Sequence, residues 1–232
     1  MIDGLKVLAL IPARGGSKGI KNKNIVLLNG KPLISYSICE ALKSKYIDDV
    51  VVTTDSEDIA GISRLYGAKV PFMRPHSLGG DKTTTIEVVL HAITALRSIG
   101  NKYDIMILLQ PTQPLRTYKD IDASIDKFLE DKMKPLASIS EVDDHPILVR
   151  SIDEKGEMKR LLDVCSTCRR QDMPKYYRIN GCIYINRVSE LNENTSFNDN
   201  IIPYIMEKEN SVDIDDINDL LFAESLLKNR SM

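Results

Sequence analysis

Long apolar runs are missing from this sequence, and none approaches the roughly 18 consecutive residues that a membrane-spanning helix needs. The first residues, Met1-Ile2-Asp3-Gly4, lack the basic region of a secretory leader, and the apolar run behind them is too short for a leader's hydrophobic core. A cytoplasmic protein with no membrane partner is the expectation. Charge of one sign is lacking too: 31 lysines and arginines face 33 acids, for a net charge of -2. That balance leaves no electrostatic footprint for nucleic acid or an anionic membrane. Cysteine is sparse, at Cys39, Cys165, Cys168 and Cys182. Only Cys165-Ser166-Thr167-Cys168 has a suggestive spacing, and neither further zinc ligands nor a thioredoxin-like context accompanies it. Free thiols in a reducing compartment are expected. Repeats and low-complexity segments are absent, and 43% hydrophobic with 28% charged residues is the balance of a globular protein, here one main domain over residues 1–232.

What the chain does contain is concentrated near its start. Val7-Leu8-Ala9-Leu10-Ile11-Pro12 is an apolar run of strand length, and Ala13-Arg14-Gly15-Gly16-Ser17-Lys18-Gly19-Ile20-Lys21-Asn22-Lys23-Asn24 follows it. Glycines at 15, 16 and 19 let backbone N–H groups curl around an anion. Arg14, Lys18, Lys21 and Lys23 add four positive charges without one acid, as a polyphosphate would require. Neither Gly-x-x-x-x-Gly-Lys-Ser/Thr nor Gly-x-Gly-x-x-Gly can be drawn through the segment, which argues against a kinase-type or dinucleotide-type loop. A flexible basic surface turn is the alternative.

Farther along, periodicity predicts a helix opening at Lys31-Pro32-Leu33-Ile34, a buried strand Asp49–Asp55, a helix Ser56–Tyr66 stopped by Gly67, and a short strand Lys69–Met73. Strand, loop, helix, strand, helix, strand is the order of a parallel α/β sheet, with ligand sites outside the carboxyl ends of its strands. Thr83-Thr84-Thr85 then opens an amphipathic helix through Ile86, Val89, Leu90, Ile93 and Leu96, either as its cap or as a source of hydroxyls and first-turn amides for a ligand. Asp104–Gln110 reads as a buried strand, and Gln110-Pro111-Thr112-Gln113-Pro114-Leu115-Arg116 as a proline-stiffened loop beside the basic one. A helix over Tyr118–Leu129 and a strand over Pro135–Val142 follow. From Asp143 to about Lys175 the periodicity weakens, with a hairpin signal at Asp153–Glu157, as in a projecting lobe or dimer arm. Cys182–Ile185 and Ile201–Met206 read as strands, and Asp216 as the cap of a last helix.

Ser211-Val212-Asp213-Ile214-Asp215-Asp216 is the second segment with chemistry in it. In extended chain Asp213 and Asp215 share one face while Val212 and Ile214 take the other. Two carboxylates that close call for a cation, and hard oxygen ligands suit magnesium, which binds through one or two carboxylates plus substrate phosphates. An acidic helix-capping turn is the alternative. A basic loop at one end of the chain and an acidic pair at the other together describe a nucleotide site.

With these segments in view the chain resembles the bacterial CMP-sialic acid synthetase (N-acylneuraminate cytidylyltransferase) family. The resemblance is carried by Ile11–Gly19 with Lys23-Asn24, by Leu108–Arg116, by Arg169-Arg170-Gln171-Asp172 with Asn180-Gly181-Cys182-Ile183-Tyr184, and by Val212-Asp213-Ile214-Asp215. It implies transfer of CMP from CTP to the anomeric hydroxyl of a nine-carbon sugar acid, with release of pyrophosphate and with magnesium. It implies a three-layer nucleotidyltransferase-type α/β sandwich with a mostly parallel sheet, and a dimerisation lobe, about residues 143–177, in a homodimer. By motif, Arg14, Ser17, Lys18 and Lys23 meet the CTP phosphates. Asn24, Arg74, Thr83 and Thr85 hold ribose and cytosine, and Gln110, Arg170, Asn180 and Tyr184 line the sugar-acid pocket. Asp213 and Asp215 hold the metal. Arg14 and Lys23 are the expected stabilisers of the leaving pyrophosphate, Asp215 the proton acceptor if one is used, and Arg170, or Arg169 beside it, the fork for the substrate carboxylate. The pattern departs from the family at Gln113, where serine is usual, at Cys182, where alanine is common, and at Ile147-Leu148-Val149, near which some members place a lysine. Those departures fall on the sugar side, so legionaminic or pseudaminic acid is the alternative substrate.

Overall fold

A computed structural model describes residues 2, 4–17, 19–164, 167, 169 and 173–230. The opening apolar run forms β1 (Val7–Pro12), and the chain continues through a hairpin of β2 (Leu27–Leu28) and β3 (Lys31–Pro32), α1 (Leu33–Lys43), β4 (Asp49–Thr53), α2 (Glu57–Leu65), α3 (Thr85–Ser98), β5 (Ile105–Leu109), α4 (Tyr118–Glu130) and β6 (Leu136–Glu141). A second hairpin, β7 (Arg150–Ile152) and β8 (Met158–Arg160), precedes the long β9 (Tyr177–Arg187), β10 (Ile202–Ile205) and α5 (Ile217–Arg230). Six strands make one sheet in the order β10-β6-β9-β5-β1-β4. β1 pairs in parallel with β4 and β5, and β6 with β10, while β9 runs antiparallel to both its neighbours.

The continuous apolar character of β1 and β5 follows from burial on both faces. Val7, Ala9, Ile11, Ile107 and Leu109 point to a layer with Ile34, Ile38, Ile59, Ile121, Ile125 and Phe128 from α1, α2 and α4. Leu8, Leu10, Met106 and Leu108 point the other way, onto Ile86, Val89, Ala92, Ile93 and Leu96 of α3. The result is a three-layer α/β sandwich with a mostly parallel sheet, as the sequence implied. A third cluster matters more for the site. Ile214, fully buried, and Leu220 and Ala223 of α5 pack with Leu28, Leu33 and Leu115. Burying a side chain of this size is worth about 1.5–3 kcal/mol, which fixes the C-terminal acidic segment against the N-terminal hairpin.

Some local expectations need correction. Lys69–Met73 is not a strand but a single parallel bridge from Lys69 to Val51; Pro71, without an N–H, stops the ladder from growing. The strand read over Cys182–Ile185 extends to Tyr177–Arg187. The segment carrying Asp213 and Asp215 is not part of a strand: the Ile214 N–H donates to the Thr112 carbonyl at 2.9 Å, and no ladder forms around it. Cys165 and Cys168 lie outside the described residues, while Cys39 and Cys182 are free thiols.

Candidate active site

Because β1, β4 and β5 are parallel, their carboxyl ends deliver the loops after Pro12, Thr53 and Leu109 to one edge of the sheet, and antiparallel β9 begins at that same edge. This is where open α/β sheets place ligands. The basic loop is pinned there by its backbone. The Ala13 N–H donates to the Thr53 carbonyl at 3.0 Å, the Gly15 N–H to Asp55 Oδ1 at 2.9 Å, and the Asn24 carboxamide to the Arg14 carbonyl at 3.0 Å. Asn24 thus acts first as a brace for the loop.

Two contacts then join the ends of the chain. A Cβ on Gly19 would stand 2.5 Å from the Asp215 carbonyl oxygen, so only glycine allows the loop to lie against the acidic segment. Lys23 Nζ also reaches Asp215 Oδ1 at 3.0 Å, across 192 positions of sequence. Lys23 is largely buried and Asp215 is exposed.

Asp55 supports two of the segments that border the cleft. Besides Gly15 it meets Arg74, whose guanidinium lies 3.2 Å away and is almost wholly buried. A Cβ on Gly79 would collide with the Asp55 carboxylate, so glycine is required there too. Burial by itself would raise the Asp55 carboxyl, but the Gly15 N–H, its own N–H and Arg74 outweigh that and hold it below the usual carboxylate value. Burial pulls Arg74 below the ordinary arginine value, and Asp55 offsets part of the effect. Arg74 Nε is buried with no partner among the described residues. Across the cleft mouth, Arg14 pairs with Asp81 at 2.8 Å.

The amino end of α3 completes this half. Thr84 is the cap of a capping box: its hydroxyl accepts from the Glu87 N–H, and the Thr84 N–H donates to the Glu87 carboxylate at 2.7 Å. The cap is therefore neither Thr83 nor Thr85. Both stand on the cleft wall, with the Thr83 hydroxyl 3.4 Å from the Ser77 carbonyl. A helix amino terminus with spare N–H groups favours a phosphate on dipole and hydrogen-bond grounds. Together Arg14, Ser17, Lys23, Asn24, Arg74, Thr83, Thr85, Gln110 and Asp215 surround a cleft of about 480 Å³.

Asp213 faces elsewhere. With Asp215 it borders an adjoining cleft of about 490 Å³ that also contains Asp143, Arg178, Lys208 and Asp219, so Asp215 is the wall shared by the two. Crowding by the protein, then the charges of Asp215 and Asp219, raise the Asp213 carboxyl against the Thr112 hydroxyl and Lys23, which lower it. Its exposed flank lets solvent screen much of that. Asp216 caps α5, accepting from the Asn218 and Asp219 N–H groups at 2.7 and 3.1 Å. The cap is thus Asp216, and the side chains of Asp213 and Asp215 take no part in it. Among the described residues no cluster of three or more His, Cys, Asp or Glu is arranged for a metal. A two-carboxylate set fits magnesium completed by phosphates and water, and does not fit an all-protein cage.

On the sugar side the expected residues separate. Gln110 lines the cleft. Asn180 lies behind it, 7% exposed, its Oδ1 accepting from the Ser138 hydroxyl at 2.6 Å and the Cys182 N–H at 3.1 Å. Tyr184 does not reach the wall: it sits in the layer under α3 beside Phe197, donates to Asn198 Oδ1 at 2.9 Å, and has its phenol pushed up to about 12 by burial. Its place on β9, paired with Leu108, turns it toward that layer. Lys18 and Arg170 fall outside the described residues. Gln113 and Cys182, two of the three departures, touch each other, with the thiol 2.9 Å from Gln113 Oε1. Sequence reasoning missed Asp55 and Asp81, although an acid just past the carboxyl end of a buried strand was the available signal for Asp55.

A family model described as cytidylyltransferase matches residues 8–230. A pseudaminic acid cytidylyltransferase from Campylobacter jejuni is 36% identical over 226 residues, 97% of each chain. A CMP-N,N'-diacetyllegionaminic acid synthase from Legionella pneumophila is 34% identical over 229 residues, again 97% of each. An N-acylneuraminate cytidylyltransferase from Escherichia coli is 34% identical over 228 residues; these cover 97% of this chain but 53% of that relative, about half its length. In fold, a solved CMP:2-keto-3-deoxy-manno-octonic acid synthetase complexed with CTP superposes with a TM-score of 0.71 at 18% identity, over 97% of this chain and 99% of that one. The chain belongs to the cytidylyltransferase family of nucleotidyltransferase enzymes.

Proposed function

We propose that the protein transfers CMP from CTP to the anomeric hydroxyl of a sialic acid (N-acylneuraminate), releasing pyrophosphate, with another nonulosonic acid such as legionaminic or pseudaminic acid as the alternative acceptor. The observation that carries this reading is the meeting of Lys23 with Asp215 in the lining of one cleft that the amino end of α3 also borders. Relatives named for three different acids stand at 34–36% identity, so identity does not rank the acceptors.

In this reading Arg14, Ser17, Lys18 and Lys23 hold the triphosphate, and Asn24, Arg74, Thr83 and Thr85 border the ribose and base. Negative charge grows on the pyrophosphate as it leaves, and Arg14 and Lys23 are fixed cations at that end. Lys23 exchanges the Asp215 carboxylate for phosphate oxygens as the substrate enters. Held by Asp213 and Asp215, magnesium would neutralise phosphate charge and acidify the acceptor hydroxyl. Asp215, exposed at the boundary of the two clefts, is the acceptor the chain offers for that hydroxyl's proton. Gln110, Arg170, Asn180 and Tyr184 belong to the acceptor side, Gln110 at the wall and Asn180 and Tyr184 as its backing.

A homodimer through the lobe at about 143–177 fits the exposure of Ile152 (74%) and Met158 (76%) on β7 and β8 and of Leu161 (60%) after them; apolar groups this open are commonly covered by a partner. No described helix is long and apolar enough to cross a membrane, and a cytoplasmic location belongs to the same proposal. The test is pyrophosphate release from CTP with magnesium across a panel of sialic, legionaminic, pseudaminic and eight-carbon sugar acids. Release dependent on one nine-carbon acid is expected. No release with any of them would overturn the assignment.

A further inference from the structure

Gln113, Arg116 and Cys182, which the proposed chemistry does not use, join Gln110 and Asn180 in a polar ring built from the 110–116 loop and β9. Gln113 is fully buried. It donates through Nε2 to the Asn180 carbonyl at 2.7 Å, and its Oε1 accepts from the Cys182 thiol at 2.9 Å. Arg116, also fully buried, donates from one guanidinium nitrogen to the Cys182 carbonyl at 2.7 Å and to the Gln110 carbonyl at 3.4 Å. The Gln113 N–H closes the ring on the Gln110 carbonyl at 3.4 Å. Gly181 stands at its centre with φ +77, a backbone that favours glycine. A Cβ there would lie 3.6 Å from Gln113 Nε2 and 3.7 Å from the Gln110 carboxamide, so the two carboxamides flank the same Cα.

We infer that Gln113, through its pairing with Cys182, is the positioning residue that sets the Gln110 carboxamide and the Asn180 segment of β9 for the acceptor, and so helps to select the sugar acid. The inference rests on the cytidylyltransferase reading above. Gln113 touches none of Arg14, Lys23, Arg74 or α3, which form the phosphate and nucleoside half. Its partners are Gln110, Asn180 and Cys182, in its own loop and within β9. Moving Gln113 therefore acts first on the Gln110 side of the cleft, while Arg14, Lys23 and Arg74 keep their own partners. A fully buried carboxamide with both ends bonded also has little freedom to adapt, which suits it to discriminate.

Steady-state kinetics on Gln113→Ser, Cys182→Ala, Cys182→Ser and the Gln113→Ser/Cys182→Ala double variant test this. KM for acid and for CTP would be measured separately over the acid panel, with melting curves to establish folding. Gln113→Ser is expected to raise KM for the preferred acid about tenfold, the factor one lost neutral hydrogen bond carries, with KM for CTP within about twofold. Cys182→Ala should move in the same direction by less, Cys182→Ser should recover the wild-type value, and the double variant should fall short of the product of the singles, since both remove one interaction. Equal changes in both KM values, or an unchanged acid KM in a folded Gln113→Ser, overturn the inference. Should Gln113→Ser fail to fold, the Cys182 pair decides, and equal acid KM values for alanine and serine there also overturn it. A wild-type enzyme that releases pyrophosphate with no acid at all instead sinks the functional reading, and the inference with it.

Discussion

Replacing Asp55 by asparagine keeps the size of the side chain and removes its charge, leaving the Arg74 guanidinium buried without a counter-ion. The two side chains are 12% and 3% exposed, so solvent can do little to compensate. Breaking a buried ion pair by removing one partner commonly costs 3–5 kcal/mol, and about 3 kcal/mol is the figure expected here because asparagine still offers an oxygen to the Gly15 N–H. For a chain of this length that lowers Tm by roughly 6–12 °C. The pH dependence has a definite sign. The Asp55 carboxyl is held below its unfolded value, so its stabilisation is fully present above the ordinary carboxylate range and is lost as pH falls through the lower folded value. Calorimetric melting of wild type and Asp55→Asn should therefore show a gap that is constant from neutral pH down to about pH 5 and closes below about pH 4. KM for CTP should rise in parallel, since Gly15 and Arg74 shape the nucleotide half of the cleft. A variant that melts within 2 °C of wild type, or a gap that persists unchanged into acid, would refute the role given to Asp55.

Lys23→Ala should lower kcat by about a hundredfold or more, as expected for a donor to a leaving group, while KM for the sugar acid changes little; an effect confined to that KM would contradict it. Gly19→Ala forces a Cβ onto the Asp215 carbonyl, so the loop and the acidic segment must part: CTP turnover should fall at least tenfold with a smaller loss of stability, and wild-type turnover would show that the contact is dispensable. Asp81→Asn weakens the Arg14 pair at a solvent-exposed site, so Tm should move by less than about 2 °C; a larger shift would mean the pair matters for folding.

Much of this architecture could be read from the chain because β1 and β5 are buried on both faces and leave uninterrupted apolar runs, and because α2, α3 and α4 carry Ser or Thr caps ahead of their apolar stripes. The hairpin of β2 and β3 leaves little pattern in the sequence although Asn29-Gly30, both at positive φ, is a strong turn signal; its strands are two residues each, too short to show alternation. The start of β9 is hard to see in sequence because Tyr177, Arg178 and Ile179 are exposed and pair only with the carboxyl end of β6. The convergence of Lys23 and Asp215 was legible as chemistry, since a cationic turn and an acid pair want the same ligand. Their direct contact was not, because it depends on Ile214 docking under α5. Asp55 looked like a strand boundary until Arg74, 19 positions away, was seen against it. Arg116 gave no local hint of burial: its partners are carbonyls and the Ser37 hydroxyl, 79 positions distant, and tertiary structure alone assembles them. Tyr184 was assigned to the acceptor wall by motif, whereas strand register turns its ring into the layer beneath α3.

Isothermal titration of CTP into wild type and Asp215→Ala, with and without magnesium, tests most directly whether the two ends of the chain hold one triphosphate. Wild type should bind CTP about tenfold or more tightly with the ion present, and Asp215→Ala should bind with the same affinity in both conditions. A magnesium enhancement that survives in Asp215→Ala would contradict the shared site.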